Sequence, residues 1–302
     1  MKFLKIIVRK VLLHIVLLMV ILLFIYVSAR AIPGDPVTVL LGEIVGDPHA
    51  RRVLESKLGL DKPMYVQFLI YIKNVFTGSW GRSIYTGESV TSIILRGFLF
   101  SLKLALTSTV LVLTLCLFLL HIEFVLGLNS RVLQMATSML SSTPTAIWAT
   151  VILLLLAWLR LPIVFGNIIP PLIVLTIVGT GIFYKLFKQS VEYGYLQPFI
   201  VTLIAMGYSR ERIFLKILRY SLPVALSALL YRVGLIIAGA VIIESIFRYP
   251  GMGFTFYLAL SSRDYPVLVG WGVVVSIILV ILNLSIDIIH SLVDPRVSSY
   301  EA

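Results

Sequence analysis

Arg232 and Glu244 are the ionisable residues whose placement most needs a chemical explanation. Arg232 stands near the middle of the apolar run Ser221–Ile243, and Glu244 closes that run. An arginine at the centre of a membrane helix costs about 2.5–3.5 kcal/mol on insertion scales, so its guanidinium must face protein or water. Two readings follow for Arg232. It lines a polar pathway or meets a partner chain, or it braces the interior through a backbone carbonyl or a carboxylate. Glu244 reads either as a pathway or gate group or as the partner of Arg248, one helical turn on. Lys103 lies near the outer end of its run and can snorkel to the interface. Asp287, near the inner end of the last run, reads as a solvated end charge or an inter-helix acceptor.

Other residue types carry no reaction chemistry. The four histidines, His14, His49, His121 and His290, fall on separate segments without metal-ligand spacing. There is no G-x-S-x-G nucleophile elbow and no Gly-Lys dipeptide, so the phosphate-cradling P-loop is absent. The single Cys116 excludes an intrachain disulfide and reads as a small buried hydrophobe. The expectation is a non-enzyme with no catalytic residue, no metal and no cofactor of its own. If ATP drives it, ATP and Mg²⁺ are bound by another chain.

The elements that must hold these residues are membrane spans. Of 302 residues, 59% are hydrophobic and 13% charged, whereas soluble domains are about a quarter charged. The net charge of +11 comes mostly from basic residues flanking apolar runs. It therefore reads as topology signal and lipid-headgroup contact, not as nucleic-acid binding. A bilayer-spanning helix needs about 20 apolar residues. The runs Val11–Ala29, Phe98–Leu120, Val132–Leu159, Ile169–Lys185, Ser221–Ile243 and Tyr265–Ile286 qualify, which makes six spans. Pro170-Pro171 suits the first turn of the fourth. The first run is longer than a signal-peptide core and reads as a retained span.

Lys2, Lys5, Arg9, Lys10, Arg131, Lys185, Lys188, Arg210, Arg212, Lys216, Arg219 and Arg296 all fall on one side if the N-terminus is inside. The short outer loops then hold Arg160, Arg248 and Arg263. The positive-inside rule puts both termini in the cytoplasm. Residues 31–97 read as a small external subdomain with a turn at Pro33–Pro36 and a short helix over about 48–58. An amphipathic helix over Pro63–Phe76 has Tyr65, Phe68, Leu69, Ile72 and Phe76 on one side. The organisation expected is an N-terminal span over 1–30, the external subdomain over 31–97 and a five-helix core over 98–302.

Within that core, the cytoplasmic loop over about 186–220 is built to touch something. A helix-forming stretch reaches Gly207, a basic amphipathic segment follows, and Leu222-Pro223 opens the next span.

The ordered motifs Arg30–Pro36, Leu58–Pro63 with Gln67, Gly78–Ser83, Ser142–Pro144, Glu244–Phe247, Pro250–Gly253, Arg263–Pro266, Asn283, Asp287 and Asp294–Arg296 run nearly end to end. Together they resemble the first permease subunit of the dipeptide/oligopeptide/nickel class of ABC importers. The resemblance implies an all-α membrane protein of the type I importer permease fold, with six transmembrane helices and an external region after the first. It implies a second permease subunit in a heterodimer, two ATPase domains, an external solute-binding protein and a prokaryotic plasma (inner) membrane, with di- or oligopeptides as the expected solute. It also implies a coupling helix lodged in an ATPase groove.

On the residues of this chain, the coupling helix falls on Phe199, Ile200, Leu203, Ala205, Met206, Gly207, Ser209, Arg210 and Arg212. Phe199, Ile200, Leu203 and Met206 are expected as its buried face. Gly207 matches the family glycine and Leu222-Pro223 the downstream Leu-Pro, while Val201, Thr202 and Leu203 replace the acidic and alanine positions. The link His121–Arg131 is poor in basic residues and the segment Arg160–Ile168 is short for this family. The alternative is a secondary transporter or channel independent of ATP, which would show inverted repeats and mid-span carboxylates.

Overall fold

The computed structural model describes residues 2–31, 62–128, 130–160 and 165–293. Eleven helices occur among these residues, together with an isolated bridge between Arg82 and Ser89. They are α1 (Lys2–Ala31), α2 (Met64–Thr77), α3 (Val90–Phe124), α4 (Ser130–Ser142), α5 (Thr145–Trp158) and α6 (Ile169–Tyr195). α7 (Pro198–Ala205), α8 (Arg210–Gly239), α9 (Val241–Ile246), α10 (Met252–Ser261) and α11 (Tyr265–Val293) complete the set. The expected turn at 33–36, the helix over 48–58, His49 and the motif 294–296 lie outside the described residues.

Five helices, α1, α3, α6, α8 and α11, are long and apolar enough to cross a membrane. The sixth crossing is not the continuous helix expected over Val132–Leu159. Its place is taken by the pair α4 and α5, bent by 94°, the geometry of a broken span or a re-entrant loop. Proline explains the break. Pro144 has no N–H to continue the ladder, and its ring disfavours helical geometry at Thr143. Pro223 behaves differently, because α8 runs through it from Arg210 instead of starting there. Two serine hydroxyls lie near it: Ser227 donates to the Pro223 carbonyl at 2.9 Å, and Ser221 donates to the Ser190 carbonyl of α6 at 3.1 Å, which ties α8 to α6. The fourth crossing also continues past Lys185 to Tyr195, so the segment expected as a loop over 186–220 is mostly helix.

α3, α6 and α8 form the centre of the bundle, α4 lies on α6, and α1 leans on α11. One core, at the α7 end, gathers Cys116, Phe183, Tyr184, Phe187, Ile213 and Phe214. A second, toward the α10 end, gathers Leu104, Val174, Ile236, Ile243 and Tyr249. Within its apolar window α1 is 6% buried, so its remaining surface suits lipid. At one end of α1, His14 Nε2 lies 3.8 Å from Asp287 Oδ2 and Lys10 donates to the Asp287 carbonyl at 3.3 Å. Asp287 is thus an inter-helix acceptor.

The inward face of α2 differs from the expected one. Phe68, Tyr71, Ile72 and Val75 turn toward Tyr26, Leu22, Trp80 and Val273, while Tyr65, Leu69 and Phe76 are exposed. The returning chain sets this rotation, because Trp80 donates its indole N–H to the Val75 carbonyl at 3.1 Å. Further on, the Asp264 carboxylate accepts from Ser83 Oγ and, at 3.3 Å, from the Ile84 amide, which ties the segment before α3 to the start of α11.

Candidate functional site

The loop end is a helical hairpin made by local chemistry. Pro198 opens α7, where its missing N–H costs nothing. After Ala205 the chain turns through Gly207, whose φ of 75° is a left-handed conformation that side chains resist by about 1–2 kcal/mol. The turn closes with Gly207 N–H to the Ile204 carbonyl at 2.9 Å and Tyr208 N–H to the Leu203 carbonyl at 3.1 Å. Ser209 then caps α8, its Oγ accepting from the Arg212 amide at 3.4 Å, and Glu211 in the first turn suits the positive helix end.

The expected contact face of this hairpin is divided. Ile200 is 2% exposed and buried in the chain's own core with Val191, Ile213 and Ile217, and Leu203 packs beside it. Phe199 and Met206 face outward, in the company of Val201 and Ile204, which are 70% and 61% exposed. Ala205, Ser209, Arg210 and Arg212 are exposed around them. A single helix cannot present Ile200 both inward and outward, and the core has claimed it.

An open cleft of about 890 Å³ runs along the hairpin, lined by Phe124, Leu128, Tyr195, Ile204, Tyr208 and Arg210 among others. Glu123 and Ser130 form part of its wall and belong to a network that sequence reasoning missed. Buried Lys188 donates to Glu123 and to Ser130 Oγ and lies 3.7 Å from Glu192, while buried Tyr184 donates to Glu123. The network joins the last turn of α3, the first residue of α4 and the C-terminal half of α6. Phe124 stacks on Tyr195 at 5.4 Å and on Phe214 at 6.2 Å beside it. Each charge, taken alone, sits near the end of an apolar run and passes for an interfacial charge. The Lys188/Glu192 spacing was the available signal.

At the opposite end Glu244 is fully buried, and its expected pairing with Arg248 does not form. α9 ends at Ile246 and Arg248 has a φ of 48°, so the chain leaves the helix before a turn-spaced contact can align. The Arg248 guanidinium lies 4.9 Å from the centre of the Phe165 ring instead. The Glu244 carboxylate accepts from Ser101 Oγ at 2.7 Å, from the Gly253 amide at 2.7 Å and from the Phe254 amide at 3.2 Å. Ser101 Oγ in turn accepts from the Met252 amide at 2.7 Å. Glu244 and Ser101 together satisfy the orphan amides that open α10 and bolt it to α3. Gly251 leaves the room required, since a Cβ there would collide with both the Glu244 carboxylate and Ser101 Oγ.

Arg232, expected as a pathway or gate residue, is likewise enclosed at 6% exposure. Its guanidinium donates to the Leu175 carbonyl at 3.1 Å and to Ser108 Oγ at 3.3 Å, and sits 5.5 Å from the Phe183 ring centre. Among the described residues no carboxylate pairs with it. A Cβ at residue 179 would come within 2.5 Å of its Nη1, so Gly179 makes the space it occupies. Arg232 and Glu244 therefore read as braces: Arg232 across α3, α6 and α8, and Glu244 across α3, α9 and α10. Neither presents its charge to a surface. Among the described residues no cluster suited to a metal ion occurs.

Comparison with known proteins places these features in context. Residues 125–299 match the family described as binding-protein-dependent transport system inner membrane component, and residues 3–105 match the N-terminal family of the same systems. The chain is 29% identical to the di/tripeptide transport system permease protein of Pseudomonas aeruginosa, over 89% of this chain and 91% of that one. It is 30% identical to the dipeptide transport system permease protein of Bacillus subtilis, over 91% and 92%. Against the metal-staphylopine import system permease protein of Staphylococcus aureus it is 27% identical over 80% of each chain.

Two stability measurements in mild detergent check the braces. Glu244→Ala leaves two amides and a hydroxyl buried without an acceptor, and is expected to cost at least about 2 kcal/mol and lower the unfolding temperature. Glu244→Gln keeps an acceptor for those amides and is expected to fall between the two. Lys188→Met strands the buried Glu123 carboxylate and should cost about 3–5 kcal/mol, with Glu123→Gln added to it recovering part of the loss.

Proposed function

We propose, from the premise that the chain belongs to the binding-protein-dependent transport system inner membrane component family, that it is the peptide-conducting permease subunit of an ATP-driven importer. Its relatives named as di/tripeptide and dipeptide permeases supply the substrate class. The full assembly in this reading holds a second permease, two ATPase domains and an external solute-binding protein. It sits in a prokaryotic plasma (inner) membrane with both termini in the cytoplasm, which puts the α7 hairpin on the ATPase side. ATP and Mg²⁺ belong to the ATPase chains.

The observation that carries the reading is the hairpin, apolar outside and anchored inside. Phe199, Val201, Ile204 and Met206 offer an exposed apolar surface rimmed by Arg210 and Arg212. On the other side Ile200 fixes the same short helix to the core shared by α3, α6 and α8. A helix held this way moves with the groove that grips it. ATP-driven closure of the ATPases would shift the hairpin and pass the displacement to α3 and α6 through the packed core and the Glu123–Lys188 network. A free carboxylate at membrane depth would favour an ATP-independent carrier, whereas the Glu244 carboxylate is spent on three donors.

Affinity purification of the tagged protein from its native membrane tests this. The wild type is expected to retain an ATPase and a second six-span protein. Val201→Asp/Ile204→Asp should lose the ATPase while the protein stays monodisperse, because both positions are exposed. Ile200→Asp should unfold it, since an unpaired carboxylate in that core costs several kcal/mol. A wild-type chain that purifies alone and moves peptide without ATP would overturn the assignment.

A further inference from the structure

The break between α4 and α5 has no place in a lipid-facing wall. Irregular backbone at membrane depth persists only where protein buries it or where it lines water. Here Ser142 and Pro144 are exposed, and no side chain caps the first amides of α5. Some of the loosened groups are met locally. Thr143 Oγ1 donates to the Met139 carbonyl at 3.0 Å and the Trp148 indole to the Leu140 carbonyl at 3.2 Å. Those bonds hold the bend in shape without covering it. The outward surface of α4 is mixed, with Arg131 and Gln134 exposed beside Met135 and Met139, which does not suit hydrocarbon.

A charge stands at the same place. Lys185 lies about 24 Å along α6 from its start, toward the inner end of a crossing through a hydrocarbon core about 30 Å thick. Its Nζ donates to Ser141 Oγ at 2.9 Å, one residue before the exposed end of α4, and the side chain remains exposed. A lysine near the inner end of a crossing reaches water instead of acyl chains, and here it does so beside the open break. Two independent features, an open helix break and an unburied cation, thus meet on one surface.

We propose that Ser142–Pro144 and Lys185 form part of the wall of the water-filled passage, and that Lys185 receives the carboxylate end of the transported peptide. The ammonium supplies the counter-charge, and Met135 and Met139 supply a pliable apolar surface that tolerates varied side chains. The peptide part of this inference rests on the importer reading; the aqueous wall does not.

The test uses the assembled transporter in proteoliposomes, with Cys116→Ala as background and Ser142→Cys, Thr143→Cys or, as a lipid-facing control, Leu154→Cys on α5. Cysteines at 142 and 143 are expected to react with charged, membrane-impermeant thiosulfonates, and that at 154 to remain inert. The anionic reagent should be favoured over the cationic one at 142 by about fivefold, and Lys185→Met should abolish that preference. Trialanine should protect the cysteine at 142 better than trialanine amide, and Lys185→Met should equalise the two. Inert cysteines at 142 and 143 would overturn the aqueous wall, whether or not an ATPase co-purifies. Equal protection by the two peptides with Lys185 intact would overturn the carboxylate assignment. Loss of the ATPase partner in the purification above would strike the importer reading and leave the reactivity at 142 standing.

Discussion

Hydrocarbon offers no hydrogen bonds, and that single deficit shapes the ends and breaks of the helices that cross it. A helix satisfies its own interior, so the long crossings need nothing more. Their ends and breaks do. Where α10 begins, Glu244 and Ser101 stand in for water and accept from three amides. Where α4 breaks from α5, Thr143 and Trp148 take up the loosened carbonyls. Arg232 follows the same rule in part from the side-chain direction, its Nη2 donating to a carbonyl and a hydroxyl inside the bundle.

These local solutions also divide the molecule mechanically. At the α10 end, Glu244 joins α3, α9 and α10 by short bonds around a position where not even a methyl group fits. At the α7 end, the Glu123–Lys188 network and the Phe124, Tyr195 and Phe214 stack tie α3, α4 and α6 to the base of the hairpin. Packed interiors of this kind switch between arrangements instead of bending continuously. A force applied to α7 would thus reach α3 and α6 as a displacement of linked helices, which is what a permease driven from one side requires.

The motifs that mark the family gain a physical meaning here. Glu244 with Gly251 and Gly253 is the cap of a short helix and the room that cap needs. Ser142–Pro144 is the hinge of a broken crossing. Gly207 is the left-handed residue of a tight turn. Asp264 holds the segment before α3 against α11.

How much could be read without coordinates depended on the range of each interaction. The five long crossings, the punctuation at Pro170-Pro171 and Gly207, and the inward pull on Arg232 follow from hydrophobic length, backbone sterics and the cost of desolvating a charge. All three act within a few residues or against the membrane itself, so the sequence by itself determined them. The rotation of α2, the pairing of Lys188 with Glu123 and the diversion of Glu244 from Arg248 to Ser101 did not follow. Those contacts join residues 65 and 143 positions apart, and each alternative partner was locally just as reasonable. The division of the α7 face was hidden for the same reason, because the apolar residues around that short helix are chemically alike. Only the packed bundle decided which of them faced inward, since burial is a property of what lies across the interface and not of the helix that carries the side chain.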